Sequence, residues 1–243
     1  MILCGHRGVA SLAPENTLAG LQAAHQLGLE WVEIDVQLTK DRQVVVFHDE
    51  KLRRCTDGTG WLRQYDWHEL ARLDAGSWFS PAFAGEHIPQ LLDYLALAAT
   101  LGIRVNIELK LYPQDDAARL CRRVSEVIRQ HAFDPGSLLF SSFEPDCLHH
   151  MQTLAPDIAR ALLVERIPAD WQTRLQRMNG TALHCHHRHL TRARAREIKA
   201  AGYRLNCYTV NNLDKATTLA DWGVDMIFTD TPQHYLNAGW HPN

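Results

Sequence analysis

The sequence predicts an α/β protein built as a closed (β/α)8 barrel, and three observations carry that expectation. Short apolar runs alternate with stretches of helical periodicity along the whole chain. Several runs, such as SLLFSS and VDMIFTD, are apolar at consecutive positions, the pattern of a parallel strand covered on both faces. The length, 243 residues, is typical of one TIM-barrel domain.

Taken in order, strands are expected at residues 2–4, 31–38, 44–47, 104–109, 137–141, 159–164, 181–185, 204–209 and 224–228. Amphipathic helices are expected at 17–27, 91–101, 115–131, 145–154, 191–201 and 213–222. Several of them run into a glycine (Gly28, Gly102, Gly202, Gly223), as helix C-caps often do. Repeated strand–helix units imply a parallel sheet, and about eight of them imply a closed one. Residues 50–88 break this rhythm with Trp61, Trp67, Trp78 and a turn at Asp57-Gly58-Thr59-Gly60. That stretch is too long for an ordinary strand-to-helix loop. The expected organisation is therefore a single domain over 1–243 with an inserted subdomain at about 50–88, after the second strand. The insertion reads either as a lid of packed aromatics or as a wall of the substrate site.

Bulk composition narrows the function. With 46% apolar and 22% charged residues the chain can fill a core, which excludes disorder. A net charge of −3 without a long basic run argues against nucleic acid as a partner. No stretch has the length and apolarity of a membrane span or a signal h-region. The six cysteines show no CxxC pair, which fits buried thiols in a reducing compartment, so a cytoplasmic location is expected. A homodimer is compatible with the sequence, which carries no signal for or against it.

The chemistry-bearing residues gather at strand ends. In WVEIDVQLTKD, Glu33 and Asp35 are two apart on a strand, so both carboxylates face one side, about 7 Å apart at Cα. Two such acids need a positive charge between them, either a divalent cation or an Arg or Lys. Glu108 and Lys110 repeat the spacing in VNIELKL. A third carboxylate completes an all-oxygen site suited to one divalent cation, Mg²⁺ or Ca²⁺. His6 closes the first strand and His48 follows VVVF; imidazoles there can give and take protons near neutrality. Arg7 supplies a planar donor fork for phosphate oxygens. In LHCHHRHL, His184 and His186 should face one side of a strand and His187 the other. A four-histidine zinc site would need a bend there, so one histidine reaching the pocket mouth is the better expectation. Tyr208 either lines the pocket or packs in the core.

In order along the chain, HRG…PENT, EIDVQLTKD, HD, ELK, YTVN and GVDMIFTD resemble the glycerophosphodiester phosphodiesterase family, in its short cytosolic bacterial form. DAGSWFSPAFAGE and LLFSSFEPD extend the likeness, which spans essentially the whole chain. The resemblance implies a barrel with a small insertion. It also implies metal-dependent hydrolysis of glycerophosphodiesters to sn-glycerol 3-phosphate and an alcohol. Carried over residue by residue, His6 and His48 become the acid/base pair and Arg7 a phosphate ligand. Glu33, Asp35 and Glu108 become the metal ligands, with Lys110 near the phosphate. Two departures stand out: Arg42 replaces a glycine usual in the turn after TKD, and Tyr208 stands where tryptophan is common. Competing readings are a sugar isomerase or aldolase on the same barrel, and a phosphodiesterase or lyase acting on lysophospholipid-like substrates. A non-catalytic barrel that binds phosphorylated metabolites is the third, although it has no need for two histidines.

Overall fold

The computed structural model describes residues 1–240. Its strands are β1 (Ile2–Gly5), β2 (Trp31–Leu38), β3 (Val44–Val46), β4 (Arg104–Leu109), β5 (Leu138–Ser142), β6 (Ala159–Val164), β7 (Ala182–His186), β8 (Arg204–Tyr208) and β9 (Met226–Thr229). Eight of these run parallel in the order β1-β9-β8-β7-β6-β5-β4-β2, and β1 pairs with β2 to close the cylinder. The fold is therefore the expected (β/α)8 barrel, with an excursion after the second barrel strand.

β3 is a correction to the run of nine expected strands. It pairs antiparallel with β2, Val36 opposite Val46, and stands outside the closed cylinder. Its three valines are all buried, so their pattern alone does not distinguish a hairpin arm from a parallel strand. The hairpin carries His48 back alongside β2 to the level of Asp35, whose carbonyl accepts from Phe47 N at 2.9 Å. Arg42 turns that hairpin with a φ of 65°, a left-handed conformation that explains why glycine suits the position.

The helices are α1 (Leu18–Gln26), α2 (Trp67–Leu70), α3 (Leu91–Leu101), α4 (Ala117–Gln130), α5 (Pro145–Leu154), α6 (Trp171–Arg177), α7 (Arg192–Ala200), α8 (Leu213–Asp221) and α9 (Pro232–Asn237). Outside the insertion, which holds the one-turn α2, two of them, α6 and α9, were not expected. They have 7 and 6 residues, too few for a helical period to stand out. The main core lies between barrel and helices: Val32, Ile34 and Val36 of β2 pack with Leu21 and Ala24 of α1 and Leu91 and Leu95 of α3. Fully burying each such aliphatic side chain stabilises the fold by roughly 1.5–3 kcal/mol. The alternate residues of β2 face inward, and at the base Trp31 joins Cys4, Leu139, Ala161, Ala182 and Met226 in an apolar plug.

The insertion has a small core of its own, formed by Leu52, Cys55, Leu62, Leu70, Ala75 and Ile88 against Val45 and Phe47 of the hairpin. This core is mostly aliphatic, which corrects the image of packed aromatics. Trp67 packs at its edge, Trp61 lies under Lys51 and Arg63, and Trp78 is 39% exposed.

Candidate active site

The parallel strands all deliver their C-terminal ends to one face. β1 ends at Gly5, and two of the next three residues have unusual backbones: φ is 53° at Arg7 and 87° at Gly8. A side chain at Gly8 would lie 2.8 Å from the backbone of Gly20, so only glycine permits this crossing. The left-handed turn aims the Arg7 amide at Glu33, donating to Oε2 at 3.0 Å. The guanidinium then reaches Glu15 at 2.7 Å and Asp35 at 3.5 Å.

Glu33, Asp35 and Glu108 converge as the strand spacing predicts: one carboxylate oxygen from each lies within 4.8 Å of the others. Glu33 and Asp35 are buried, and Oε1 of Glu33 has no hydrogen-bond partner. Asp35 accepts from Asn16 Nδ2 at 3.0 Å, while Lys110 Nζ sits 3.4 Å from Asp35 and 3.2 Å from Glu108. Three hard oxygen donors with an orphaned buried oxygen fit a divalent cation such as Mg²⁺ or Ca²⁺. Electrostatics agree with a site short of positive charge. Burial, then the charges of Asp35 and Glu108, push Glu33 up to about 8, although His6 and Arg7 work against them. Glu108 is raised as well, by burial and by Asp35. Burial alone would raise Asp35 too, but Lys110 and Arg7 outweigh it and hold Asp35 well below the usual carboxylate range.

Each candidate histidine has a carboxylate on Nδ1. His6 meets Asp230 Oδ1 at 2.6 Å and His48 meets Asp49 Oδ1 at 2.7 Å. Their other nitrogens differ. Nε2 of His6 lies 3.9 Å from Glu33, whereas Nε2 of His48 lies 2.8 Å from the Lys110 ammonium. An ammonium can only donate, so His48 carries its lone pair at Nε2 and its proton at Nδ1. Burial disfavours charge on both rings. For His6 the Asp230 hydrogen bond and the Glu33 charge more than compensate, and its affinity for a proton rises. For His48, Arg7 and Lys110 reinforce burial against the pull of Asp35, and its affinity falls.

His6, Arg7, Glu33, His48, Glu108, Lys110 and Tyr208 line one cavity of ≈ 290 Å³. Every one of these expected site residues is therefore in one place, with Asp35 buried directly behind. No residue of 50–88 is among the described lining residues, so the insertion is not a wall of the cavity. It reaches the site through Arg54, which bridges Glu15 at 2.7 Å and Asp49 at 2.6 Å. Tyr208 lies at the rim, donating to the Val164 carbonyl at 2.9 Å and meeting Phe143 and His186 edge-on. Because β7 ends at His186, His187 turns back and stacks on it at 5.0 Å, rather than facing away. The histidine run therefore divides: His184 is buried in the barrel, His186 lines the cavity, and His189 pairs with Glu165 at 3.4 Å.

Sequence reasoning assigned no role to Glu15, Asn16, Asp49 or Asp230. All four support the groups above, and each sits inside a stretch (PENT, HD, FTD) that had already been noticed for other reasons.

A barrel whose strand ends present three carboxylates, two cations and two carboxylate-anchored imidazoles defines an enzyme for an anionic substrate. The chain belongs to the glycerophosphoryl diester phosphodiesterase family, which it matches over residues 6–234. It is 33% identical to a glycerophosphodiester phosphodiesterase of Caldanaerobacter subterraneus, covering 97% of this chain and 96% of that one. Among solved structures it is similar to an Oleispira antarctica phosphodiesterase in complex with its product sn-glycerol 3-phosphate. That likeness has a TM-score of 0.94 at 39% identity and covers 98% and 96% of the two chains. An Agrobacterium tumefaciens glycerophosphodiester phosphodiesterase gives a TM-score of 0.79 at 27% identity, over 95% and 96%. The protein is thus an enzyme of the phosphoric diester hydrolase class. Among the described residues no helix is long and apolar enough to cross a membrane.

Proposed function

We propose that this enzyme hydrolyses glycerophosphodiesters, the deacylated phospholipids, to sn-glycerol 3-phosphate and an alcohol, using one divalent cation, Mg²⁺ or Ca²⁺. The observation that carries this reading is the meeting of the Glu33–Asp35–Glu108 cluster with Arg7, Lys110 and both histidines around one cavity. The product complex of the similar Oleispira protein supports the choice of substrate. Glu33, Asp35 and Glu108 would hold the cation, which supplies charge neutralisation for the phosphate and lowers the pKa of a coordinated hydroxyl. Arg7 and Lys110 hold the phosphate oxygens. His48, whose Nε2 lone pair accepts from Lys110 until that ammonium turns to the phosphate, serves as base, and His6, kept proton-rich by Asp230, protonates the departing alcohol. Asp49 and Asp230 keep the two rings in these tautomers. A cytoplasmic location is supported by the six cysteines, all of them free and buried.

The test is turnover of glycerophosphocholine with Mg²⁺, with Ca²⁺ and with chelator, following release of sn-glycerol 3-phosphate. Hydrolysis that persists unchanged in chelator rejects the metal assignment, and no hydrolysis under any condition rejects the substrate.

A further inference from the structure

Next to the three carboxylates the barrel interior carries a further polar layer, which the reaction as proposed does not use. Asn106 on β4 is the register partner of Glu33 and lies one pleat below Glu108; its Nδ2 donates to Ser141 Oγ at 2.9 Å. Three strands further round, His184 on β7 accepts at Nε2 from Nδ2 of its register partner Asn206, also at 2.9 Å. None of these four side chains is more than 1% exposed. The apolar plug closes the barrel below them. Yet Asn106 Oδ1, Asn206 Oδ1 and His184 Nδ1 have no hydrogen-bond partner, and of the four residues Asn106, Ser141 and His184 line the cavity that holds the reactive groups.

The leftover atoms have opposite character. With Asn206 occupying the Nε2 lone pair, the ring proton of His184 sits on Nδ1, so His184 offers a donor and Asn106 an acceptor. Burial lowers the pKa of His184 to about 3, which keeps the ring neutral at working pH. A buried polar group without a partner is destabilising, so the layer calls for a neutral group that both donates and accepts. Water does so, and a hydroxyl is the smallest such group that a substrate can carry.

We propose that Asn106, Ser141 and His184 form a subsite for the terminal hydroxyl of the substrate's glycerol, with Asn206 the positioning residue that orients His184. The inference rests on the glycerophosphodiester reading above and deepens it. The glycerol end enters the barrel first, and the other alcohol faces the rim beside Phe143, His186 and Tyr208. A neutral, buried subsite of this kind discriminates strongly against a substrate lacking the hydroxyl, because its own polar groups are then left unpaired.

The experiment compares kcat/KM for glycerophosphocholine and for propane-1,2-diol 1-phosphocholine, which lacks only the terminal hydroxyl. The unmodified enzyme should prefer the former at least tenfold. His184→Phe, which keeps a ring and removes the donor, and Asn106→Ala should each collapse that preference, chiefly by slowing glycerophosphocholine. Asn206→Leu should leave His184 as a mixture of tautomers in the imidazole ¹⁵N spectrum. Should a variant fail to fold, the ¹⁵N spectrum of the unmodified enzyme decides: sn-glycerol 3-phosphate should move the His184 Nδ1 resonance and propane-1,2-diol 1-phosphate should not. An enzyme that turns over glycerophosphocholine and ignores the missing hydroxyl overturns the subsite alone, leaving a layer that holds water. An enzyme inert toward glycerophosphocholine overturns both readings.

Discussion

Asp230 Oδ1 lies 2.6 Å from Nδ1 of His6, across 224 residues of chain. Barrel closure makes this contact, since β9 pairs with β1 and sets Thr229 beside Gly5. Asn211 in turn holds the other Asp230 oxygen at 2.7 Å. The carboxylate fixes the His6 tautomer and supplies the largest favourable influence on its proton affinity. Asp230→Asn should lower kcat about a hundredfold, the scale of one positioned acid or base. KM should change little, because Arg7 and Lys110 remain. The pH limb belonging to the acid should move down, since the lost charge had favoured the protonated ring. Steady-state kinetics across pH measure both effects, and an unchanged kcat would contradict the role given to His6.

Much of this site was legible because strand periodicity is short-range. Glu33 and Asp35 must share a face whatever the fold does elsewhere, and Glu108 with Lys110 repeats the device. Apart from Asp49, which adjoins His48, the supporting groups were hidden because their partners lie further along the chain. Glu15 meets Arg54 across 39 residues, and His184 meets Asn206 only through the β7–β8 register. Neither spacing carries a period that one sequence displays. β3 was visible as a strand, but its direction depends on the Arg42 turn, whose left-handed backbone no apolar pattern records. The insertion was visible as a break in rhythm. Its separation from the cavity lining was not, because three tryptophans fit a binding wall as well as a lid; of the three, Trp67 packs against the aliphatic core.

A prediction about the carboxylates separates function from folding. Glu33, Asp35 and Glu108 are like charges crowded at the barrel mouth, and burial raises two of them. Removing one charge should relieve repulsion in the metal-free protein. Glu108→Gln should therefore melt at the same or a higher temperature, lose at least tenfold in Mg²⁺ affinity by calorimetry, and lose activity. A large fall in melting temperature would make Glu108 a structural residue, and full affinity would place the cation elsewhere.

The insertion should have its own response to acid. Asp74 accepts from Ser77 N at 2.7 Å, Gly85 N at 2.9 Å, Ser77 Oγ at 2.7 Å and Gly76 N at 2.8 Å, closing the loop of residues 74–85. These bonds, Ser77 foremost, hold its pKa well below the ordinary value. A depressed carboxylate stabilises the fold fully above its unfolded pKa, about 4. That contribution fades as pH falls through the folded value. Hydrogen exchange of the 74–85 amides should thus accelerate, relative to barrel amides, below about pH 4. Asp74→Asn should show the faster exchange already at neutral pH. Equal protection in both proteins would mean that other contacts hold the loop.

The nucleophile can be tested by deleting a single oxygen. Besides the Tyr208 phenol, the hydroxyl side chains lining the cavity are those of Ser141 and Thr209, and neither bonds to a histidine or carboxylate among the described residues. The six thiols are buried. No hydroxyl or thiol is thus activated for attack, as a covalent route through one would require. With both imidazoles given to proton transfer rather than to attack on phosphorus, two nucleophiles remain, water and the 2-hydroxyl of the substrate's own glycerol. The 2-hydroxyl is tethered near phosphorus, and proximity of that kind lowers a barrier by ~7 kcal/mol or more when alignment is ideal. We therefore expect a two-step course. His48 takes the proton of the 2-hydroxyl while His6 protonates the departing alcohol. Water then opens the cyclic phosphate with the two rings exchanging roles. A phosphodiester of propane-1,3-diol lacks only the 2-hydroxyl and keeps the terminal one. It should bind as a competitive inhibitor and turn over at least about a hundredfold more slowly, some 2.7 kcal/mol of transition-state stabilisation. Single turnover of glycerophosphocholine in ¹⁸O water adds a second readout. The cyclic route passes through a transient species that ³¹P NMR can detect, with one ¹⁸O entering only when the ring opens. Comparable turnover of the two diesters, with no cyclic species at any time, leaves direct attack by water as the reaction.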